Sequence, residues 1–350
     1  MLSTTPEVKL PPVGVVITSY NCEAYIAQAI ESVARQSVRN LDVVVVDDAS
    51  QDRTVEVIEE ALARLKDRRF RFVAMPSNLG QTGAVRRGLG ELDTPFVCFL
   101  DGDDIWHETF VERHLAAHLN TDFPVGFTYC DSHVINGDGE LLAGTAWWFE
   151  RPNGDPPHRS VEPATTPTID GARGVASFPL KPALTLHAEW SSAWSCNSMA
   201  SLMFRRSLVD LIFPESDESL RLYLDHYLTT FGMLVAGGIA IHESLYAYRM
   251  HGKNSHSQAS VVGGTFATSR NDWQAINRDV LQLVHREMLA RRDELCTAVG
   301  AGHFTHSLAL FATALTEINA GTSKEEVVEE NQQDTGGVLV RLGKLFGNSR

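Results

Sequence analysis

Apolar runs and helical stripes alternate along the first third of the chain. Val13-Gly14-Val15-Val16-Ile17-Thr18 is almost uninterrupted in its apolar character, the pattern of a strand covered on both faces of a sheet. After a break at Ser19-Tyr20-Asn21, the residues Tyr25, Ile26, Ala29, Ile30 and Val33 recur at helical spacing. Leu41 to Val46 predicts a second buried strand, closed by Asp47-Asp48-Ala49-Ser50. Asp52 predicts the N-cap of a helix whose apolar face is Val55, Ile58, Ala61, Leu62 and Leu65. A third strand falls at Phe70 to Ala74, a third helix at Gly83 to Leu92, and a fourth strand begins at Phe96. Strands and helices in strict alternation predict a doubly wound α/β unit with right-handed crossovers.

Farther on, a helix is expected at roughly Glu108 to Leu119 and a strand at Val125 to Asp131. Half of the 14 prolines lie between Pro152 and Pro182, which predicts a long irregular excursion over residues 137 to 185. Trp147, Trp148, Trp190 and Trp194 flank it, either to stack on a sugar or contact a lipid, or to anchor the loop to the body. Beyond Thr265, Trp273, Ile276, Val280, Leu283 and Val284 mark one amphipathic helix, and Phe304, Leu308, Phe311, Ala312 and Leu315 another. These are expected to pack as a helical appendage or as a homodimer contact. Lys324 to Asp334 is acidic and reads as disordered. Val338 to Phe346 reads either as a small membrane-surface helix or as a frayed terminal one.

Composition narrows the class. At 350 residues, with 43% hydrophobic and 21% charged residues, the chain can bury a large core and has an ordinary globular make-up. A formal net charge of -14 argues against nucleic acid as a partner. Cys22, Cys98, Cys130, Cys196 and Cys296 are scattered without a Cys-x-x-Cys pair, which predicts reduced thiols in a cytoplasmic protein. Met1 to Pro12 lacks the basic start and apolar stretch of a signal peptide, and no apolar run is long enough to span a bilayer. The expectation is a soluble protein with at most peripheral membrane contact.

The strand ends carry the candidate chemistry. Ligands of open α/β sheets bind outside the carboxyl ends of the strands. Three ends are polar there: Thr18-Ser19-Tyr20-Asn21, Asp47-Asp48 and Asp101-Gly102-Asp103-Asp104. Tyr20 offers an aromatic face and Asp47 an acceptor for a base edge. Taken singly, each end reads equally well as a turn or a helix cap, and Asp48 and Ser50 are residue types that capping prefers. Three carboxylates in four positions repel one another unless a cation sits among them. That cluster is therefore either a site for a hard divalent ion or a solvated acidic turn.

Residues 13 to about 115 resemble the nucleotide-binding half of the family 2 glycosyltransferases, inverting enzymes with the GT-A fold. Four stretches in order carry the resemblance: Val15 to Asn21, Val44 to Thr54, Asn78-Leu79-Gly80-Gln81, and Phe99 to Asp104. It implies a GT-A-type, mostly parallel, Rossmann-like α/β sheet with a C-terminal helical appendage. It implies that Ser19, Tyr20 and Asp47 hold the nucleoside, with Thr18 and Asn21 beside them. Asp101 and Asp103 become the Asp-x-Asp pair, with Asp103 on an Mn²⁺ or Mg²⁺ ion that bridges the diphosphate of a nucleoside diphosphate sugar donor. Arg86 stands where many relatives have Asn, and either meets a phosphate or donor sugar or lies on a helix surface.

The resemblance continues through Ser198 to Arg206 and Tyr223 to Leu228. Asp225 takes the place of the family's catalytic base, while Leu224 replaces the Glu that usually precedes it. One carboxylate suffices to take a proton from an acceptor hydroxyl. His226 is either a substitute base or an ordinary helical histidine. Gly237 to His251 reads as a last strand pair, with Arg249 approaching the diphosphate, His251 the metal, and Lys253 the leaving group. Asn254 to Gly264 reads as a mobile lid.

The expected division is a flexible start (1–12), a nucleotide-sugar-binding half (13–131), an acceptor-binding half with the Pro-rich insertion (132–264), a helical appendage (265–320) and an acidic tail (321–350). The implied reaction transfers a sugar to the hydroxyl of a sugar, glycolipid or other acceptor, in cell-surface polysaccharide or glycolipid biosynthesis. A sugar-1-phosphate nucleotidylyltransferase is disfavoured because no Gly-rich loop followed by Arg succeeds the first strand. A haloacid-dehalogenase-type phosphatase carries its Asp-x-Asp after the first strand rather than the fourth. The remaining alternative is a non-catalytic nucleotide-sugar-binding or scaffold protein with a degenerate GT-A fold, which metal-dependent turnover separates from an enzyme.

Overall fold

The structure, a computed structural model, describes residues 9–119, 125–145, 168–170, 175–177, 184–191, 198–216, 220–254 and 273–318. β1 (Val13–Ser19), β2 (Leu41–Asp47), β3 (Phe70–Ala74) and β4 (Phe96–Asp101) form a parallel set in the order β3-β2-β1-β4. They are joined by α1 (Ile26–Ala34), α2 (Thr54–Leu65) and α3 (Gly80–Leu89). The near-continuous apolar runs follow from burial on both faces. Val13, Val15 and Ile17 of β1 enter one core and Val16 the other, and β2 divides Val43 and Val45 from Val44 and Val46 in the same way.

Next come β5 (Ile105–Trp106), α4 (Phe110–Leu119), β6 (Phe127–Asn136), β7 (Leu141–Ala143) and the paired β8 (Thr168–Asp170) and β9 (Val175–Ser177). β10 (Leu184–His187), β11 (Leu202–Arg205), α5 (Arg206–Ile212), α6 (Leu224–Ala236) and β12 (Gly238–Met250) complete a ten-stranded mixed sheet. Its second half continues from β4 as β11-β6-β12-β10. β11 runs antiparallel to both neighbours, and β6 and β12 pair in parallel. α7 (Trp273–Ala290), α8 (Arg292–Val299) and α9 (residues 301–318) follow. Among the described residues no helix is long and apolar enough to cross a membrane.

Several expected boundaries are corrected. α3 starts at Gly80 instead of Gly83, because the Asp48 carboxylate accepts the N–H groups of Leu79 and Gly80, both at 2.8 Å, and so caps this helix from a distant loop. Asp52 is not the N-cap of α2. That position is Arg53, and Asp52 accepts the Thr54 N–H (3.0 Å) and hydroxyl (2.5 Å) from one residue earlier. The expected last strand pair is the single 13-residue β12, which shifts register against β6 around Ser244.

α7 to α9 are the expected C-terminal helices, and they pack into the body of the sheet domain. Val280, Val284, Leu295, Phe304 and Phe311 lie in the same core as Val16 and Phe99 of the sheet. Trp190 is buried there too, edge-on to Phe311 at 4.8 Å, so it anchors rather than faces an acceptor. Trp147, Trp148 and Trp194, the expected lid beyond Asn254 and the acidic tail lie outside the described residues.

Candidate active site

The parallel register brings three loops to one edge of the sheet. Thr18 lies level with Asp101 on one side of β1, and Ser19 level with Asp47 on the other. Gly102 is required by this close approach: a Cβ there would stand 2.9 Å from the Thr18 carbonyl oxygen and 3.1 Å from Ile26.

The loops after β1 and β2 are tied to each other. The Asn21 N–H donates to Ser50 Oγ (2.9 Å), and the Gln51 N–H donates to Asn21 Oδ1 (2.8 Å). Asp47 is 1% exposed, and both of its oxygens are engaged. Oδ1 accepts from the hydroxyls of Ser19 (3.2 Å) and Ser50 (2.5 Å), and Oδ2 from the Ser50 N–H (2.9 Å). Ser19, Asn21 and Asp47, expected at the nucleoside, are bonded to one another's loops here and shape a shelf. Tyr20 is 47% exposed on that shelf. Asn21 (φ 52), Ala49 (φ 59) and Tyr223 (φ 65) hold left-handed backbone at this edge, and Lys66 (φ 51) is the other described non-glycine residue that does so. Such conformations persist only where surrounding contacts over-determine them, and they cluster at functional sites.

The three carboxylates after β4 differ in environment. Asp104 is buried and accepts the Arg249 N–H on Oδ1 (2.9 Å), while its Oδ2 is buried without a partner. Burial, then the neighbouring Asp103 and Asp101, push its carboxyl well up. Asp101 accepts on Oδ1 from Thr18 Oγ1 (3.5 Å) and Gln81 Nε2 (3.4 Å). Burial, reinforced by the charges of Asp103 and Asp225, raises Asp101 to about 7. The Asp103 side chain is 23% exposed, and His251 Nε2 meets its Oδ2 at 3.0 Å.

Two arginines stand otherwise than expected. Arg249 is 1% exposed beneath the acidic turn. Its Nε donates to the Asp103 carbonyl (2.8 Å), Nη1 to the carbonyls of Asn136 (3.3 Å) and Gly137 (3.2 Å), and Nη2 to Gln28 Oε1 (2.8 Å). It holds the turn from below, which corrects the expectation of a diphosphate contact. Arg86 donates to the Pro214 carbonyl (2.6 Å) and covers the Phe213 ring at 4.8 Å, joining α3 to the chain after α5 rather than reaching for a phosphate.

Asp225 lies in the first turn of α6, half-buried, with the His226 N–H on its Oδ1 at 2.9 Å. Burial raises its carboxyl to about 6. Leu224, where the resemblance places Glu, is fully buried in the core. His226 turns its ring to α7, with Nε2 donating to Asn277 Oδ1 at 2.8 Å. Burial lowers it to about 4, so it is neutral and held inside rather than poised as a base. Gln81 entered the resemblance only within Asn78-Leu79-Gly80-Gln81, with no role of its own, and Asn277 was not singled out, because one amide residue among polar neighbours produces no pattern.

Among the described residues no three His, Cys, Asp or Glu side chains gather into a metal cage. The Asp103–His251 pair nonetheless suits an Mn²⁺ or Mg²⁺ ion of the kind held by one or two protein groups, with substrate phosphates and water supplying the other ligands.

Comparison with known proteins agrees with this frame. Residues 14–171 match the sequence profile of glycosyl transferase family 2. The chain is 24% identical over 248 residues to an uncharacterized glycosyltransferase of Nostoc sp., covering 71% of this chain and 67% of that one. It is 31% identical over 127 residues to the Escherichia coli UDP-Glc:alpha-D-GlcNAc-diphosphoundecaprenol beta-1,3-glucosyltransferase WfgD, covering 36% of this chain and 47% of the relative. Against the teichoic acid poly(glycerol phosphate) polymerase of Staphylococcus epidermidis it is 32% identical over 108 residues, 31% of this chain and 15% of the polymerase. The chain thus spans two thirds of the first relative and half or less of the other two. Among solved structures, residues 1–349 of S. aureus TarS in complex with UDP-GlcNAc superpose with a TM-score of 0.51 at 17% identity. That match covers 86% of this chain and 71% of the other, a likeness of fold. Residues 14–171 thus resemble a family 2 glycosyltransferase domain, and the chain shares the fold of the TarS structure.

Proposed function

We propose that this protein is a metal-dependent inverting glycosyltransferase that moves a sugar from a nucleoside diphosphate sugar to an acceptor hydroxyl. The observation that carries the reading is the gathering of Asp101, the Asp103–His251 pair and Asp225 about one sheet edge, close enough that the Asp225 charge raises Asp101. Tyr20 offers its exposed ring to the base. Asp103 and His251 would hold a Mn²⁺ or Mg²⁺ ion, which would supply positive charge for the leaving diphosphate. Lys253, exposed beside His251, adds a second positive group there.

Asp225 takes the proton of the acceptor hydroxyl. The oxygen attacks the anomeric carbon, and the bond from that carbon to the diphosphate oxygen breaks, its electron pair leaving with the nucleoside diphosphate. A single displacement inverts the centre and needs only one carboxylate base. A base near 6 is ionised at neutral pH while still able to hold a proton. The names of WfgD and of the teichoic acid polymerase support an acceptor in cell-surface polysaccharide or lipid-linked glycan synthesis, with the protein in the cytoplasm and at most peripheral at the membrane. The test is nucleotide release from UDP-, GDP- and dTDP-sugars with Mn²⁺, Mg²⁺ or chelator, alongside Asp225→Asn. Release that needs the cation and vanishes in Asp225→Asn is the expected result; full release in that variant removes Asp225 from its role.

A further inference from the structure

The turn that bears Asp225 has an unusual start. Tyr223 enters α6 in left-handed backbone, φ 65, a region costly for a residue with a Cβ. The first N–H groups of a helix have no partner within it. Here the Leu224 N–H donates to Gln81 Oε1 (3.2 Å), and the Nε2 of the same amide donates to Asp101 Oδ1 (3.4 Å). Gln81 thereby spans the gap between the donor-side acid and the base turn. On the far side of Asp225, His226 uses its backbone N–H on the Asp225 carboxylate and its Nε2–H on Asn277 Oδ1 (2.8 Å), which projects from α7. Residues 224 and 226 are therefore each tethered by a side-chain amide from a different element, with Asp225 between them.

We propose that Gln81 and Asn277 are positioning residues that clamp this turn and fix the Asp225 carboxylate; the proposal rests on Asp225 being the base. It makes α7, which lies outside the segment matching the family profile, part of the working site. The physical warrant is that a misplacement of about 1 Å at a reacting group costs on the order of 100-fold in rate.

The test compares Gln81→Met and Asn277→Leu, near in shape but without the hydrogen bonds, with Asn277→Asp, which keeps the acceptor oxygen. On the donor that the wild type turns over, kcat is expected to fall about 10- to 100-fold in Gln81→Met and Asn277→Leu. Donor KM and melting temperature should hold in Asn277→Leu, and Asn277→Asp should recover most of its kcat. Wild-type kcat in Gln81→Met and Asn277→Leu would overturn the proposal. So would a loss that tracks melting temperature and is not rescued by Asn277→Asp. If Asp225→Asn is inactive while these two variants are normal, the clamp falls and the base reading stands; if Asp225→Asn is fully active, both fall. A readout independent of turnover is the ¹³Cγ resonance of Asp225, expected single in the wild type and broadened or split in Gln81→Met and Asn277→Leu. An unchanged resonance in both overturns the clamp.

Discussion

The loops after β1 and β2 and the helices α7 to α9 support one site by opposite means. The loops work through short polar side chains that bond neighbouring backbone, and Asn21 and Ala49 are held there at positive φ. The helices work through apolar burial and through donors aimed at the ends of other helices. Arg291 donates to the Leu211 and Phe213 carbonyls at the end of α5, and His303 Nε2 donates to those of Leu234 (3.2 Å) and Val235 (3.1 Å) at the end of α6. The loops therefore set shape at small cost in area, and the helices set stability. Substitutions in the first should register in activity, and substitutions in the second in the unfolding of the whole chain.

The largest effect is expected at the loop edge. Asp103→Ala should abolish nucleotide release and match the effect of chelator on the wild type. It should leave the melting temperature nearly unchanged, since that side chain's bond within the protein is the partly exposed one to His251. Release that survives both treatments would show that the acids hold no essential cation. Asp225→Asn comes next, with a loss of about 100- to 10,000-fold while UDP or GDP binding is kept. The wild type should show the matching pH dependence. Burial raises Asp225 to about 6, and only its ionised form accepts a proton, so kcat/KM should fall as pH drops through about 6 and level off above it. A profile flat down to pH 4.5 would break the link between that carboxylate and the rate.

The two regions were unequally readable from sequence. Val13 to Thr18, Leu41 to Val46 and the run from Phe96 foretold three strands, because burial on both faces demands an unbroken apolar stretch. Acids at their ends had to share an edge because the strands are parallel. What each acid does there depended on partners far along the chain. Asp48 caps α3 rather than the helix that follows it, and Arg249 is spent on the carbonyl of Asp103. Amphipathic spacing found α7 and the last helix, but it said nothing of what they cover. Asn277, Arg291 and His303 act through single hydrogen bonds to groups distant in sequence, which leave no periodicity to read.

Phe311→Ala sharpens the contrast from the helical side. Phe311 is fully buried, edge-on to Trp190, in a core that also contains Val16, Val97 and Phe99 of the sheet. Its removal should cost about 3–5 kcal/mol. The loss should appear as one earlier denaturant transition, seen alike by helical circular dichroism and by a probe at Tyr20. Two separate transitions, with the sheet keeping its original midpoint, would mean that α7 to α9 form an independent unit after all.

The smallest effect separates strain that serves the site from strain that does not. Ala49 and Lys66 both hold left-handed backbone, at φ 59 and φ 51, and glycine adopts that region without a Cβ penalty. Ala49→Gly and Lys66→Gly should therefore each stabilise the protein by about 0.5–1 kcal/mol, read as a small rise in denaturant midpoint. Lys66 ends α2, its N–H on the Leu62 carbonyl at 3.0 Å, at the opposite end of that helix from the loop carrying Asp47 and Ser50. Lys66→Gly should keep wild-type turnover. Ala49 sits between Asp48, which caps α3, and Ser50, which fixes Asp47 and Asn21. The freedom that glycine adds there should loosen the shelf that carries Tyr20 and lower kcat/KM a few-fold despite the gain in stability. Equal activity in the two variants would mean that the loop needs only its hydrogen bonds, and that its backbone strain is incidental to the site.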